Sequence, residues 1–177
     1  MAGDGGPTGK ARRDRHSEYR QHDLESPSLQ CRWKRGAEEQ AIGRSRGGRT
    51  TKIHAVVDTD GRLIAFELTP GQRGDIRPAA GLIAPLPPAR TLLADAAYDS
   101  DAFRSFLTDR GTTPVIKQNP TRKRLHPFDK EAYKGRNIVE RAFSRLKDWR
   151  RAATRYDKLA RNFQATVILV SLAIWWT

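Results

Sequence analysis

The sequence predicts a single α/β domain built around a mixed sheet, and three observations carry that expectation. From Thr51 onward, short β-branched or apolar runs alternate with stretches of helical character, in the order hairpin, helix, strand, helix, strand, helix, helix. The chain has 177 residues, about one domain's length, and 37% of them are hydrophobic, enough for one core. Its longest apolar run, Ala165 to Trp176, spans 12 residues and contains Ser171, well short of the ~20 that cross a bilayer. That run reads as a buried helix, and a membrane is not an expected partner.

Each element has a local reason. Thr51–Val57 (TKIHAVV) is β-branched and apolar, Asp58-Thr59-Asp60-Gly61 is a turn, and Leu63–Leu68 (LIAFEL) completes a hairpin. Asp75 is placed to cap a helix through Ile83, ended by Pro85-Leu86-Pro87-Pro88. Thr91–Ala94 is a short buried strand running into Asp95, and Ser100 or Asp101 caps a helix to about Arg110, stopped by Gly111. Thr113–Ile116 is a further strand, Lys117–Phe128 a basic loop, and Asp129 caps a long helix to about Arg150. A last helix runs from about Leu159 to Trp176. By contrast, Met1 to roughly Gly48 shows neither period and few large aliphatic residues, and is expected to be disordered or poorly folded. The plan is thus a disordered basic segment over 1–42 and a folded domain over 43–177.

Charge narrows the function. The chain carries 33 Lys and Arg against 20 Asp and Glu, a net +13. Lys117–Arg161 alone holds 15 basic and 5 acidic residues, whereas Thr51–Ile116 holds 7 and 8. A block of that density is an electrostatic footprint for a polyanion, most often nucleic acid, with a solvated basic surface as the plainer alternative. Within it Arg122, Lys123 and Arg124 are expected to meet phosphate. The single cysteine, Cys31, excludes an internal disulfide and fits a reducing cytoplasm. No His/Cys cluster has zinc spacing, and the Gly-rich start has no apolar signal core.

Two motifs carry chemistry. Asp95, in LLADAAYDSDAF, stands at the end of a buried strand, where α/β sheets gather ligands and metals; an ordinary strand-end residue, with Asp99 or Asp101 capping the next helix, is the other reading. The second motif is Tyr133, Arg136, Glu140 and Lys147. On one ideal helix these four lie within about 60° of arc, beside an apolar face of Ile138, Val139, Ala142, Phe143 and Leu146. A glutamate flanked by two cations and a phenol suits a metal carboxylate with phosphate-binding neighbours. An amphipathic helix with i,i+4 Arg–Glu pairing is the alternative.

Taken together, a strand-end aspartate and, 45 residues later, a glutamate on a sheet-packed helix resemble the acidic site of bacterial insertion-sequence transposases of the DDE class with a Y-R-E-K helix. The resemblance runs from Gly43 to Thr177 and includes Gly43-Arg44-Ser45-Arg46-Gly47-Gly48-Arg49-Thr50-Thr51-Lys52-Ile53-His54 and Leu92-Leu93-Ala94-Asp95-Ala96-Ala97-Tyr98-Asp99. It implies a ribonuclease-H-like mixed sheet flanked by helices. It also implies that Asp95 and Glu140 are the second and third acids of a site using Mg²⁺ or Mn²⁺, two ions if complete. Tyr133, Arg136 and Lys147 would steady transposon-end DNA, and Gly43–Arg49 would be a flexible basic loop on its backbone. Double-stranded DNA as both transposon end and target, a homodimer and a cytoplasmic, nucleoid-associated location follow from the same resemblance. His54 is expected to be a packing residue.

One departure from the family pattern stands out. The first acid belongs on an apolar strand some twenty residues before Gly43, but that window reads Glu18-Tyr19-Arg20-Gln21-His22-Asp23-Leu24-Glu25-Ser26-Pro27. Asp23 is the nearest candidate, and no apolar strand precedes it. The first strand is therefore expected to be missing or degenerate, as in a truncated or frameshifted reading frame, with catalysis absent or very weak. A non-catalytic basic DNA-binding fragment is the competing function, and a ribonuclease-H-like nuclease without strand transfer a more distant one.

Overall fold

The computed structural model describes residues 16–25 as backbone, and residues 39–45, 48–123 and 125–176 in full. Its centre is a six-stranded sheet: β1 (His16–Glu25), β2 (Gly43–Ser45), β3 (Gly48–Val57), β4 (Leu63–Pro70), β5 (Thr91–Ala94) and β6 (Thr113–Ile116). The strand order is β2-β3-β1-β5-β6, with β4 paired to β3. β1 runs antiparallel to β3 and parallel to β5, and β6 is parallel to β5, so the sheet is mixed.

The central strand corrects the sequence-based expectation. A strand is present at His16–Glu25, flanked on both sides, despite its polar sequence HSEYRQHDLE. Hydropathic period reports which side chains are buried, whereas a ladder is made by backbone N–H and C=O groups that every residue but proline carries in full. With β3 and β5 each offering an open edge, the chain between them pairs in spite of its polarity. The expected disorder also ends before Gly43, because Gln40, Ala41 and Ile42 are buried. Cys31 lies outside the described residues.

Helices cover both faces. α1 (Ile76–Ile83) and α2 (Asp101–Asp109) pack on one, where Ala79, Ile83, Phe103 and Leu107 meet Val56, Leu92, Ala94 and Ile116. On the other, α4 (Asn137–Asp148), after the short α3 (Lys130–Tyr133), packs with α5 (Arg150–Ala153) and α6 (Ala160–Trp175) over Ile53, Ala55 and Val57. The alternation of β3 sorts its residues between two cores, as a strand buried on both faces requires. Ser100 caps α2 by accepting from the Phe103 N–H at 3.1 Å. Gly111, at φ +74°, ends it in a Schellman motif, with Thr112 N–H on Leu107 O and Gly111 N–H on Thr108 O.

The long helix expected from Asp129 to Arg150 is broken. A 3₁₀ turn, Lys134–Arg136, separates α3 from α4, and Trp149 in an extended conformation separates α4 from α5. Gly135 supplies the weak point, since glycine costs about 1 kcal/mol in a helix interior and 3₁₀ turns occur where α-helices end. The last helix packs as predicted, through Phe163, Val167 and Val170. Among the described residues no helix is long and apolar enough to cross a membrane.

A buried arginine ties the chain ends of this layer together. Arg155, 1% exposed, donates to the carbonyls of Ala41 (3.0 Å) and Asp157 (3.1 Å) and to Thr51 Oγ1, with its guanidinium 5.2 Å over the Phe163 ring. Burial pushes its pKa down to about 10, with Asp157 acting against the shift, so it remains charged at neutral pH.

Candidate active site

Asp95 follows directly on β5, where the backbone leaves the sheet. Its Oδ1 accepts from the Ala96 N–H at 2.8 Å and so caps the 3₁₀ turn Ala96–Tyr98. Its Oδ2 faces Nη1 of Arg136 at 3.6 Å. The same guanidinium donates through Nη2 to Glu140 Oε1 at 2.9 Å. One cation thus joins two acids that stand 45 residues apart in sequence.

The surrounding residues hold that cation in place. Arg136 lies 5.5 Å from the ring centroid of Tyr133, and Phe128 meets the other edge of that ring at 5.0 Å. These contacts span the 3₁₀ turn, so Tyr133, Arg136 and Glu140 remain neighbours although the helix carrying them is interrupted. Lys147 is exposed in the last turn of α4, two turns or about 10 Å beyond Glu140. Four of the five predicted residues therefore converge, and Lys147 flanks them. The i,i+4 pair read from the sequence forms, and its arginine also reaches the strand-end acid.

β1 decides whether a third acid joins them. Its parallel register with β5 ends at Tyr19↔Ala94, which leaves Arg20 and Asp95 as the next position on each strand. Asp23 pairs with Lys52 across β3, three residues or about 10 Å further along. Among the described residues no three His, Cys, Asp or Glu side chains gather to hold a metal ion. Two carboxylates already sharing a guanidinium do not fit a two-ion site, which needs a bridging carboxylate of its own.

Comparison with known proteins gives the family. The profile of the Transposase DDE domain matches residues 10–176. The chain belongs to that family. The DDE match begins upstream of Gly43 and takes in β1. The chain is 40% identical over 127 residues to the transposase named for insertion sequence element IS6501 of Brucella ovis, which covers 71% of this chain and 98% of that protein. It is 33% identical over 144 residues to the one named for IS402 of Burkholderia cepacia, covering 75% of this chain and 65% of that protein. Among solved structures, the catalytic core domain of BIV integrase superposes with a TM-score of 0.53 at 15% identity, over 90% of this chain and 82% of that one. A chain of the simian T-cell lymphotropic virus intasome in complex with PP2A regulatory subunit B56 gamma gives 0.54 at 14% identity, over 91% and 48%. At these identities the likeness is one of fold, and that fold is ribonuclease-H-like. DNA transposition, a metal-assisted phosphoryl transfer, is the activity of the DDE family.

The DDE domain also holds a charge network that the sequence did not reveal. Asp99, four residues after Asp95, has a fully buried carboxylate that accepts from Arg104 Nε at 2.8 Å, Arg122 Nη1 at 3.1 Å and the Asn119 N–H at 2.9 Å. Arg122 also binds Asp101, as does His126 Nε2 at 2.8 Å. Arg122 is thus committed to anchoring the 117–128 loop on α2 and is not a free phosphate contact; Lys123 is exposed, and Arg124 lies outside the described residues. The only hint in the sequence was the crowding of Asp99 and Asp101 ahead of a basic loop.

Burial pushes the Asp99 carboxyl up, but the Asn119 amide and the Arg104 and Arg122 guanidinia outweigh it and hold it below the ordinary 3.8. A depressed folded-state pKa gives stability that is present above that ordinary value and lost as the pH falls through the lower folded one. Asp99→Asn is therefore expected to cost about 1.5–3 kcal/mol at pH 7. It should also flatten the acid limb of the stability curve below pH 3.8, measured by urea unfolding across pH. An unchanged midpoint at pH 7 would refute the anchoring role.

His54 is a packing residue, as expected. It is fully buried, with Nδ1 3.2 Å from the Tyr98 hydroxyl and Nε2 2.8 Å from Thr69 Oγ1.

Proposed function

We propose that this DDE domain acts on insertion-sequence ends by laying duplex DNA across one end of its sheet, with Asp95 and Glu140 as its acids and Tyr133, Arg136 and Lys147 beside them. The observation that carries this reading is the convergence of Asp95 and Glu140 on Arg136 at that end. The family match and the integrase-like fold favour a transposase over a basic DNA-binding fragment without chemistry. In this reading the protein keeps company with the bacterial nucleoid.

Basic elements gather at the same end. β1 and β5 are parallel and run toward this end, β1 continuing past the level of Asp95 to Glu25, where β3 enters opposite it. Gly43–Ser45 and the start of β3 pair as a short hairpin, with residues 46 and 47 outside the described set, so the segment expected to be a flexible loop is partly ordered. The hairpin is seated on the turn after β4: Gly71 N–H donates to Thr50 O at 3.1 Å, and a Cβ on Gly71 would overlap the Thr50 side chain. Lys52 Nζ locks the turn through Asp75 at 2.6 Å. This arrangement exposes Arg44 and Arg49 on the hairpin and Arg73 and Arg77 on an open cleft of about 430 Å³.

Five strand residues separate position 20 from Glu25, about 17 Å. Duplex DNA rises 3.4 Å per base pair, so the hairpin would meet phosphates roughly five base pairs from the acids. Phosphate approaching two carboxylates is repelled, and the Arg136 guanidinium offsets that repulsion while the Tyr133 ring fixes its plane.

Replacing Arg44, Arg49, Arg73 and Arg77 with glutamine is expected to weaken duplex binding. The slope of log K against log salt should flatten by up to about 0.9 for each phosphate that is no longer neutralised. A slope equal to that of the unaltered protein would remove this surface from the reading.

A further inference from the structure

We propose that Arg136 stands as a built-in counter-cation where a divalent ion would bind the acid pair, so that the free chain binds such ions weakly and loss of this one side chain opens the site to them. The proposal rests on the reading of Asp95 and Glu140 as the acids of the site. Three observations support it. First, the guanidinium forks between Glu140 Oε1 at 2.9 Å and Asp95 Oδ2 at 3.6 Å, and so uses one oxygen of each acid. Second, Nη1 is buried with no hydrogen-bond partner among the described residues, and the charge of Asp95 stands 3.6 Å from it. Third, the ring of Tyr133, itself backed by Phe128, stacks against the guanidinium and holds it in this orientation.

Competition follows from the chemistry of the two cations. A hard divalent ion takes carboxylate oxygens at about 2.0–2.6 Å. It cannot share Glu140 Oε1 with a donating N–H, nor sit between the acids without lying against a fixed positive charge. Two carboxylates and one guanidinium together carry a single net negative charge, which attracts a divalent ion less than the carboxylates alone would. Arg136→Gln raises the charge of these three groups to two negative and removes the guanidinium from both oxygens. Arg136→Lys keeps the charge as a compact ammonium without the fork, and falls between the two.

The test is binding of Mn²⁺ alone to the full chain, by titration calorimetry and by the decrease of the free-ion paramagnetic resonance signal, without DNA. The expected result is at least tenfold tighter Mn²⁺ binding by Arg136→Gln than by the unaltered protein, an intermediate value for Arg136→Lys, and loss of the gain in Arg136→Gln/Glu140→Gln. Should the glutamine variant not fold, the lysine variant decides alone: tighter binding than the parent supports the proposal, and equal binding overturns it. Equal, Glu140-dependent binding by parent and Arg136→Gln overturns the counter-cation role while leaving the acid-site reading intact. No binding by any variant overturns both.

Discussion

An aspartate placed on β1 level with Asp95 is expected to raise metal-dependent DNA cleavage by this domain. In Arg20→Asp, Mn²⁺-dependent nicking of a plasmid carrying the element's ends should rise at least about 100-fold above the parent, some 2.7 kcal/mol of transition-state stabilisation. Charge and register both favour this outcome. At present two acids share one guanidinium, and the next position on β1 after the Tyr19↔Ala94 pair is itself a cation. Changing residue 20 to aspartate puts a third carboxylate at that register position on a rigid neighbouring strand, the arrangement that two-ion chemistry needs. Asp95→Asn or Glu140→Gln in the restored background should return nicking to the parent level. Asp23, about 10 Å further along β1, should be dispensable. Robust nicking by the unaltered chain, abolished by Asp23→Asn, would make Asp23 the first acid and refute this account.

The largest loss of stability is expected from Phe163→Ala. Phe163 is fully buried on α6, in the core shared by Ile53, Val57, Val139 and Phe143, and its ring also carries the Arg155 guanidinium. Truncating such a ring costs about 3–5 kcal/mol from lost transfer energy and an unfilled cavity. Against a typical total of about 5–15 kcal/mol, this leaves the variant marginal or unfolded. Leu169→Ala on the same helix, at a position 66% exposed, should stay within about 0.5 kcal/mol of the parent. Urea unfolding monitored by tryptophan fluorescence separates the two. A Phe163→Ala midpoint equal to that of Leu169→Ala would mean that α6 does not close this core.

Much of this was legible in the sequence because it depends on short-range pattern. The hairpin of β3 and β4, the strands of β5 and β6, the Ser100 cap and the Gly111 stop all rest on a few consecutive residues. The candidate acids stood out for a different reason: Asp95 ends a buried strand, and Glu140 sits at fixed spacing from Tyr133, Arg136 and Lys147. The break at Gly135 was missed because ideal helical phasing assumes an unbroken backbone, although the contacts of Arg136 survive the interruption. The Asp99 network was missed because Arg104 reaches it from α2 and Asn119 and Arg122 from the loop after β6.

The sequence by itself determined the α/β class, the order of elements from Thr51 on, Asp95 and Glu140 as candidate acids and the concentration of positive charge. Only the tertiary structure decided three further matters. A polar segment at His16–Glu25 fills the centre of the sheet, because backbone pairing between two open edges does not depend on hydropathy. Arg122 belongs to the loop anchor, because a buried carboxylate at Asp99 binds it. Arg136 lies between both acids, because β5 and α4 meet at one end of the sheet and a guanidinium is long and forked enough to span the gap.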